Sequence, residues 1–350
     1  MDDIMHPETL SCRKYLICGG AGFIGSHFVR RLAGKNAKAF VLDSLTYAGN
    51  LDNLKDCLDE GHAEFIRGDI RDRQQVASLL RMHGINAIVN FAAESHVDKS
   101  IQGPSGFIDT NIVGVFHLLE EALSWWKESG DPDFRFLQVS TDEVFGSLGP
   151  EGYFTETSRI MPNSPYSASK AAADHLTRAW HHTFGLPTIT THCSNNYGPC
   201  QYPEKLIPVV ITQALEGKPI PVYGDGKNIR DWIYVEDHCY GIELALEKGK
   251  PGESYCFGGR CEKSNIDIVR TICAMLDRAT PRSDGQPFAN QISFVQDRLG
   301  HDRRYAIDDS FARRELGFET RMVFEEGLQK TVEWYLDNTE WTDAIARKRA

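Results

Sequence analysis

The 350-residue chain has no Cys-x-x-Cys pair, no basic excess and no apolar run approaching the ~18 residues of a membrane span. Its nine cysteines stand at irregular positions: 12, 18, 57, 193, 200, 239, 256, 261 and 273. An odd, unpatterned set fits neither a disulfide framework nor a zinc site, so free thiols in a reducing, cytoplasmic setting are expected. Basic residues number 38 against 49 acidic ones, a net charge of −11. That balance repels phosphate backbones and speaks against a general nucleic-acid binder. An anionic ligand needs a local cluster of Lys, Arg or backbone N–H groups. Residues 1–13 carry Asp2, Asp3, Pro7 and Glu8 with no basic patch ahead of an apolar stretch. Neither an export signal nor a membrane partner is expected there, only a tail. No histidine spacing matches a ligand set, so no metal is expected.

What the chain does contain is a series of apolar strands that stop at glycines and polar clusters. Tyr15–Cys18 ends at Gly19-Gly20-Ala21-Gly22, Ala37–Leu42 at Asp43, and Glu64–Arg67 at Gly68-Asp69. Ala87–Phe91 runs into Ala92-Ala93-Glu94-Ser95, and Phe134–Val139 into Ser140-Thr141-Asp142-Glu143. Thr188–Thr191 reads as the last strand of the series. Helical stretches lie between them at 23–32, 74–82, 111–126 and 165–184. Such alternation implies an α/β fold, a Rossmann-type doubly wound parallel sheet covered on both faces. Ligands bind such sheets at the carboxyl ends of the strands, where these polar clusters fall. After Asn195, Pro and Gly punctuate often. Stretches 232–246, 265–278 and 323–336 read as helices, and 280–305 as loop with a short strand at 292–295. This is expected to be a smaller, partly interleaved α/β substrate lobe.

Gly19, Gly22 and Gly25 lie directly between a strand and a helix. Glycine lets the backbone approach a pyrophosphate, and the helix N-terminus offers it unpaired N–H groups. Asp43 closes the next strand, where a carboxylate binds adenosine ribose hydroxyls and repels a 2′-phosphate. NAD is therefore expected over NADP. Asp69 has two readings, a bond to the adenine or a turn residue before a helix. The expected boundaries are 14–194 for the NAD-binding domain, with 229–258 returning to it. Segments 195–228 and 259–336 form the second lobe, and 1–13 and 337–350 are tails.

Tyr166 and Lys170 stand one helical turn apart, on one face. A free tyrosine, with a pKa of ~10, is a poor base; an ammonium and a nicotinamide cation nearby favour its phenolate. Together with the glycine loop, this pair resembles the extended short-chain dehydrogenase/reductase family. That resemblance makes Thr141 the hydroxyl partner of Tyr166. Asp142 and Glu143 follow Thr141. Either they are the acid and base of an elimination, or Asp142 caps a turn and Glu143 faces solvent.

Further motifs resemble the dTDP-glucose 4,6-dehydratases. They are Ser140-Thr141-Asp142-Glu143-Val144-Phe145-Gly146, Ala92-Ala93-Glu94-Ser95-His96-Val97-Asp98 and Pro165-Tyr166-Ser167-Ala168-Ser169-Lys170. Ser194-Asn195-Asn196-Tyr197-Gly198-Pro199, Pro203-Glu204-Lys205-Leu206-Ile207-Pro208, Ile229-Arg230-Asp231-Trp232 and Gly300-His301-Asp302-Arg303-Arg304-Tyr305 continue the likeness. It departs at Cys18, usually Thr, at Phe145, usually Tyr, and at Leu299, usually Pro.

The resemblance implies a hydro-lyase with NAD as recycled cofactor. Dehydration would run by C4 oxidation through Tyr166 and Lys170, C5/C6 elimination of water through Glu143 as base and Asp142 as acid, and hydride return to C6. The product would feed deoxysugar synthesis, rhamnose for example. Phe23, Ile24, Ser44, Leu45, Thr46, Asp69, Ile70, Phe91, Ala92, Ala93, Thr110 and Asn196 would join the glycines and Asp43 around NAD. Ser95, Thr141, Asn195, Lys205, Leu206, Pro221, Tyr223, Arg230, Asn265, Asp297, Arg298 and His301 would contact the nucleotide sugar. The family also implies a homodimer through helices 111–126 and 166–184. The competing readings are a nucleotide-sugar 4-epimerase, a UDP- or GDP-sugar 4,6-dehydratase, and a non-catalytic NAD-binding regulator. The carboxyl pair speaks against the epimerase, and the Tyr166–Lys170 pair against the regulator.

Overall fold

The computed structural model describes residues 13–35 and 37–349; residues 1–12, most of the expected N-terminal tail, lie outside it. Twelve strands are present among the described residues: β1 Lys14–Cys18, β2 Lys38–Asp43, β3 Ala63–Arg67, β4 Ala87–Asn90, β5 Arg135–Thr141, β6 Thr188–Cys193, β7 Asn195–Tyr197, β8 Ile220–Tyr223, β9 Ile229–Tyr234, β10 Ser254–Phe257, β11 Glu262–Ser264 and β12 Ile292–Val295. Seven form one parallel sheet in the order β10-β6-β5-β4-β1-β2-β3. The chain runs outward from β1 in one direction and from β4 in the other, so the switch point lies between these neighbours. A crevice opens there above the strand ends.

Strand side chains alternate between the sheet's two faces. Tyr15 and Ile17 join a core with Phe28, Val41 and Leu137, while Leu16 and Cys18 join one with Phe40, Ile88 and Leu118. Both faces are dry, which is why the strands read as unbroken apolar runs. Helix Pro165–Phe184 begins at a capping box between Ser164 and Ser167, has Pro165 in its first turn, and ends at Gly185 in the left-handed region. Those signals fix where its first turn presents Tyr166.

Several segments differ from expectation, among them a helix at Leu206–Leu215 in the Pro- and Gly-punctuated stretch. The sheet has a seventh strand, β10, paired beside β6. Ile229–Tyr234 is the middle strand of a separate sheet, β11-β9-β7, so the helix expected from residue 232 starts only at Val235. The helix expected from residue 111 begins as a π-helical turn, Asp109–Gly114, before Val115–Ser129. The expected tail 337–350 contains a helix, Thr339–Arg349. The second lobe has its own core of Tyr197, Ile207, Val210, Trp232, Ile268 and Leu328. Its third sheet is the parallel pair β12-β8. The eight described cysteines are all free. No described helix is long and apolar enough to cross a membrane.

Candidate active site

The carboxyl ends of β1, β2, β4, β5 and β6 and the loops of the second lobe enclose a cleft of about 570 Å³. On one side lies the glycine loop. Gly19 has φ +75°, and a Cβ there would meet Ala92 N at 2.6 Å. A Cβ on Gly25 would overlap the Gly19 carbonyl oxygen. Only glycines let strand, loop and helix close this tightly. Helix Phe23–Ala33 has no side-chain cap and no acid in its first turn, which leaves its first N–H groups for an anion. Asp43 accepts from Ala21 N at 3.0 Å and Leu45 N at 2.8 Å, and burial raises its pKa. A carboxylate has lone pairs beyond these two bonds, so it can still take ribose hydroxyls. Cradle, helix end and carboxylate together fit a dinucleotide.

Asp69 lies in a turn. It accepts from Arg71 N at 2.9 Å and pairs with the Arg71 guanidinium at 2.7 Å, while remaining on the cleft wall. Leu45 does not line this cleft. It adopts φ +52° and turns its N–H to Asp43, so its part is to shape the loop rather than to form the wall.

The reacting groups meet where β5 faces helix Pro165–Phe184. Lys170 Nζ donates to Val139 O at 2.7 Å. Burial lowers the Lys170 pKa, and Asp174 one turn on opposes that. Tyr166 is buried beneath the sheet ends, with Phe107 edge-on at 6.4 Å. Burial, then Glu143, Cys193 and Asp142, push its pKa well above the usual value, while a hydrogen bond with Thr141 opposes the rise. The chain's own groups thus hold Tyr166 as a phenol. The Lys170 amino group is hydrogen-bonded to the Val139 carbonyl from the same helix that carries Tyr166.

Asp142 is only 2% exposed. Its Oδ1 accepts from Thr141 Oγ1 at 3.3 Å, and its Oδ2 is buried without a partner. Burial first, and Glu143 second, raise its pKa well above the carboxylate range. Asp142 is therefore neither a solvated cap nor a surface charge, and its burial favours the neutral carboxyl over the carboxylate. Glu143 is half-buried on the same wall, so its expected alternative of pointing to solvent is also set aside. The cap of this turn is Thr141, whose Oγ1 accepts from Glu143 N at 3.3 Å.

The second lobe brings cations. Arg230 is buried, donates to Asp302 O at 2.9 Å, and lies 4.2 Å over the Tyr305 ring. Lys205 Nζ donates to Ser95 O at 2.7 Å. Arg298 Nε is buried without a partner. Asp297, expected in the pocket, is not on its wall. It accepts from His301 Nδ1 at 2.6 Å and from Arg298 N at 2.9 Å, so it holds two pocket residues from behind. Every other expected site residue lines the cleft. The three departures, Cys18, Phe145 and Leu299, do not line it; Leu299 is 75% exposed.

Sequence reasoning assigns no role to Tyr305, Glu94, His96 or Glu204, all of which line the cleft. Each stands inside a quoted motif, which was the available signal. The π-helical turn carries Thr110 to the wall and Asn111 beneath it. Asn111 Nδ2 donates to Glu94 O at 3.0 Å and Ser169 Oγ at 2.9 Å, tying the 91–96 loop to the Tyr166 helix.

Residues 16–331 match the family model described as GDP-mannose 4,6 dehydratase. The dTDP-glucose 4,6-dehydratase of Xanthomonas campestris pv. campestris (strain B100) is 55% identical over 336 residues, 95% of either chain. Among solved structures, the dTDP-glucose 4,6-dehydratase of Streptomyces venezuelae, with NAD and a second ligand bound, is 45% identical with a TM-score of 0.87, covering 95% of this chain and 99% of that one. The enzyme of the same name from Bacillus anthracis str. Ames, in complex with NAD, is 44% identical with a TM-score of 0.84, covering 95% and 100%. On sequence identity and shape alike, the chain belongs to the dTDP-glucose 4,6-dehydratase family.

Proposed function

We propose that the chain is an NAD-dependent hydro-lyase that converts dTDP-glucose to dTDP-4-keto-6-deoxyglucose and water. The carrying observation is a buried Asp142, its pKa raised by burial and by Glu143, on the same wall as Glu143, Thr141 and Tyr166. Oxidation alone needs one base; elimination of water needs an acid as well. Bound NAD supplies the hydride acceptor that is oxidised again by the end of the cycle, and its nicotinamide cation favours the Tyr166 phenolate.

Tyr166 takes the proton of the C4 hydroxyl, with Thr141 holding the same oxygen. Loss of the C4 hydride to the bound acceptor would complete a 4-keto group, which acidifies the C5 proton. Glu143 takes that proton while Asp142 gives its own to the C6 hydroxyl, and the C6–O bond breaks to release water. Two adjacent carboxyls can fill opposite roles because burial holds one of them neutral. Return of hydride to C6 and of the proton to C5 completes the cycle. Arg230, Arg298 and Lys205 would bind the diphosphate, where arginine's planar fork suits two phosphate oxygens. Ser95, Asn195, Leu206, Pro221, Tyr223, Asn265 and His301 would line the rest of the nucleotide sugar, with Asp297 holding His301 in place.

Two coarser readings accompany this one. Exposed Ile108, Val113 and Phe184 lie on or beside the helices expected to pair two subunits, so a homodimer is proposed; the mass in solution tests it. A cytoplasmic setting suits the free thiols and is checked by cell fractionation.

The function is tested by incubating the protein with NAD in deuterated water, with dTDP-glucose and UDP-glucose in separate reactions. Loss of water from dTDP-glucose, deuterium at C5 and no net NADH are expected. Formation of a galactose epimer, or turnover of the uridine sugar alone, would overturn the proposal.

A further inference from the structure

We infer that the C-terminal helix Thr339–Arg349 braces the dinucleotide loop, and that Trp341 is a positioning residue for NAD. Trp341 Nε1 donates to Asn53 Oδ1 at 2.9 Å. The same amide, through Nδ2, donates to Ala21 O at 3.0 Å. Asn53 is 2% exposed, so both ends of its amide need protein partners. An indole N–H can only donate, so it claims Oδ1 and leaves Nδ2 aimed at Ala21.

Ala21 lies inside the loop between Gly19 and Gly22. Its carbonyl also accepts from Asn50 N at 3.0 Å, and its own N–H donates to Asp43 Oδ2 at 3.0 Å. One residue of the loop is thus gripped through its carbonyl by Asn53, and through its N–H by the carboxylate assigned to the adenosine ribose. Trp341 sets the far end of this chain of bonds.

The helix that carries Trp341 is anchored. Ile345 is buried, and the Trp341 ring lies edge-on to Trp334 at 5.0 Å and to Tyr335 at 6.2 Å. Tyr335, on the preceding helix, donates to Gln201 O, and Gln201 Nε2 donates to Asn196 O at 2.9 Å. Asn196 lies on the cleft wall. The C-terminal helices therefore reach the cofactor side of the cleft by two routes. A loop held in its binding shape beforehand loses less freedom when the ligand arrives, and binds it more tightly.

This inference rests on the reading of Gly19–Gly25 as the NAD loop. Trp341→Phe keeps an aromatic ring at this place and removes the donor. Trp334→Phe disturbs the same aromatic cluster and leaves the Trp341–Asn53 bond in place. For each full-length variant, stripped of cofactor, the NAD dissociation constant is measured by calorimetry, the NAD release rate after dilution, and the thermal midpoint without NAD. Trp341→Phe is expected to bind NAD about three- to ten-fold more weakly, the value of one lost hydrogen bond, and to release it faster. Trp334→Phe is expected to keep wild-type NAD affinity while its thermal midpoint falls. Unchanged affinity in Trp341→Phe, or equal weakening in both variants, would overturn the brace. A wild-type chain that binds no NAD would overturn the reading of the loop, and the brace with it.

Discussion

Around the dinucleotide loop the chain presents glycines and uncapped helix N–H groups, whereas across the cleft it presents Asp142, Tyr166 and Arg230, each buried. The first wall binds mainly by shape and main-chain dipoles, with Asp43 as its buried carboxylate. The second wall works by chemistry, and it removes ionisable groups from water to do so. Change in the first wall is felt as a steric misfit, in cofactor affinity. Change in the second is felt in proton transfer, and it releases energy that folding had spent on burial.

The largest effect that separates the walls is expected from Glu143→Gln. It removes the base of the elimination and touches nothing in the glycine loop. Turnover of dTDP-glucose should fall by about 10²–10⁴-fold, the usual contribution of a positioned acid or base. NAD affinity should stay at the wild-type value. Because the oxidation through Tyr166 precedes the lost step, reduced nicotinamide should build up on the enzyme and be seen by its absorbance. A parallel loss of NAD affinity would break the division between the walls.

Gly25→Ala is the converse, and its effect is smaller. The added Cβ overlaps the Gly19 carbonyl, a backbone atom with nowhere to go. Overpacking of about 1–3 kcal/mol corresponds to NAD binding roughly 10–100-fold weaker. Turnover should recover as NAD is raised, which calorimetry and NAD-dependent rates would show together. A loss of turnover that excess NAD does not repair would show the loop to be shaping the chemistry too.

The same contrast explains what could be read from the residues alone. The cofactor wall is local: each apolar strand stops at its own glycine or carboxylate, so strand, loop and helix are adjacent in sequence. The other wall gathers distant segments. Tyr305 comes from a polar stretch that reads as loop, and distant segments hold it at the cleft: its N–H donates to Ile229 O at 3.2 Å, the Arg230 guanidinium lies over its ring, and its hydroxyl is 2.5 Å from Asp302 Oδ2. Asp297 carries the right charge in the right stretch, yet its carboxylate is spent on His301. β10 is four residues long and owes its existence to pairing with β6, far from it in sequence. The apolar run through Trp232, Ile233, Tyr234 and Val235 crosses from strand to helix without a break in hydrophobicity, so periodicity cannot place the boundary. Helix Thr339–Arg349 is polar overall, and only Trp341 and Ile345 reveal its inner face.

The smallest expected effect sharpens the comparison most, because it tests the cost of the second wall without substrate. The native pKa of Asp142 lies above its unfolded value of ~3.9. The native state therefore holds that proton more tightly than the unfolded chain does. Stability from this group is greatest at low pH, where both states are protonated, and falls as pH rises from the unfolded value toward the native one. Asp142→Asn does not titrate. The variant, though inactive in elimination, should thus be more stable than wild type at neutral pH, by about 1 kcal/mol or ~1–2 °C in thermal midpoint. The gap should be closed below pH ~4 and widen as pH rises from there toward the native pKa. Thermal unfolding of both proteins across that range would show it. A gap that stays constant with pH would mean that Asp142 is ionised in the native state, and the acid that expels water would have to be sought elsewhere on the wall. A gap that widens with pH ties the energy stored in burial to the proton given to the C6 hydroxyl.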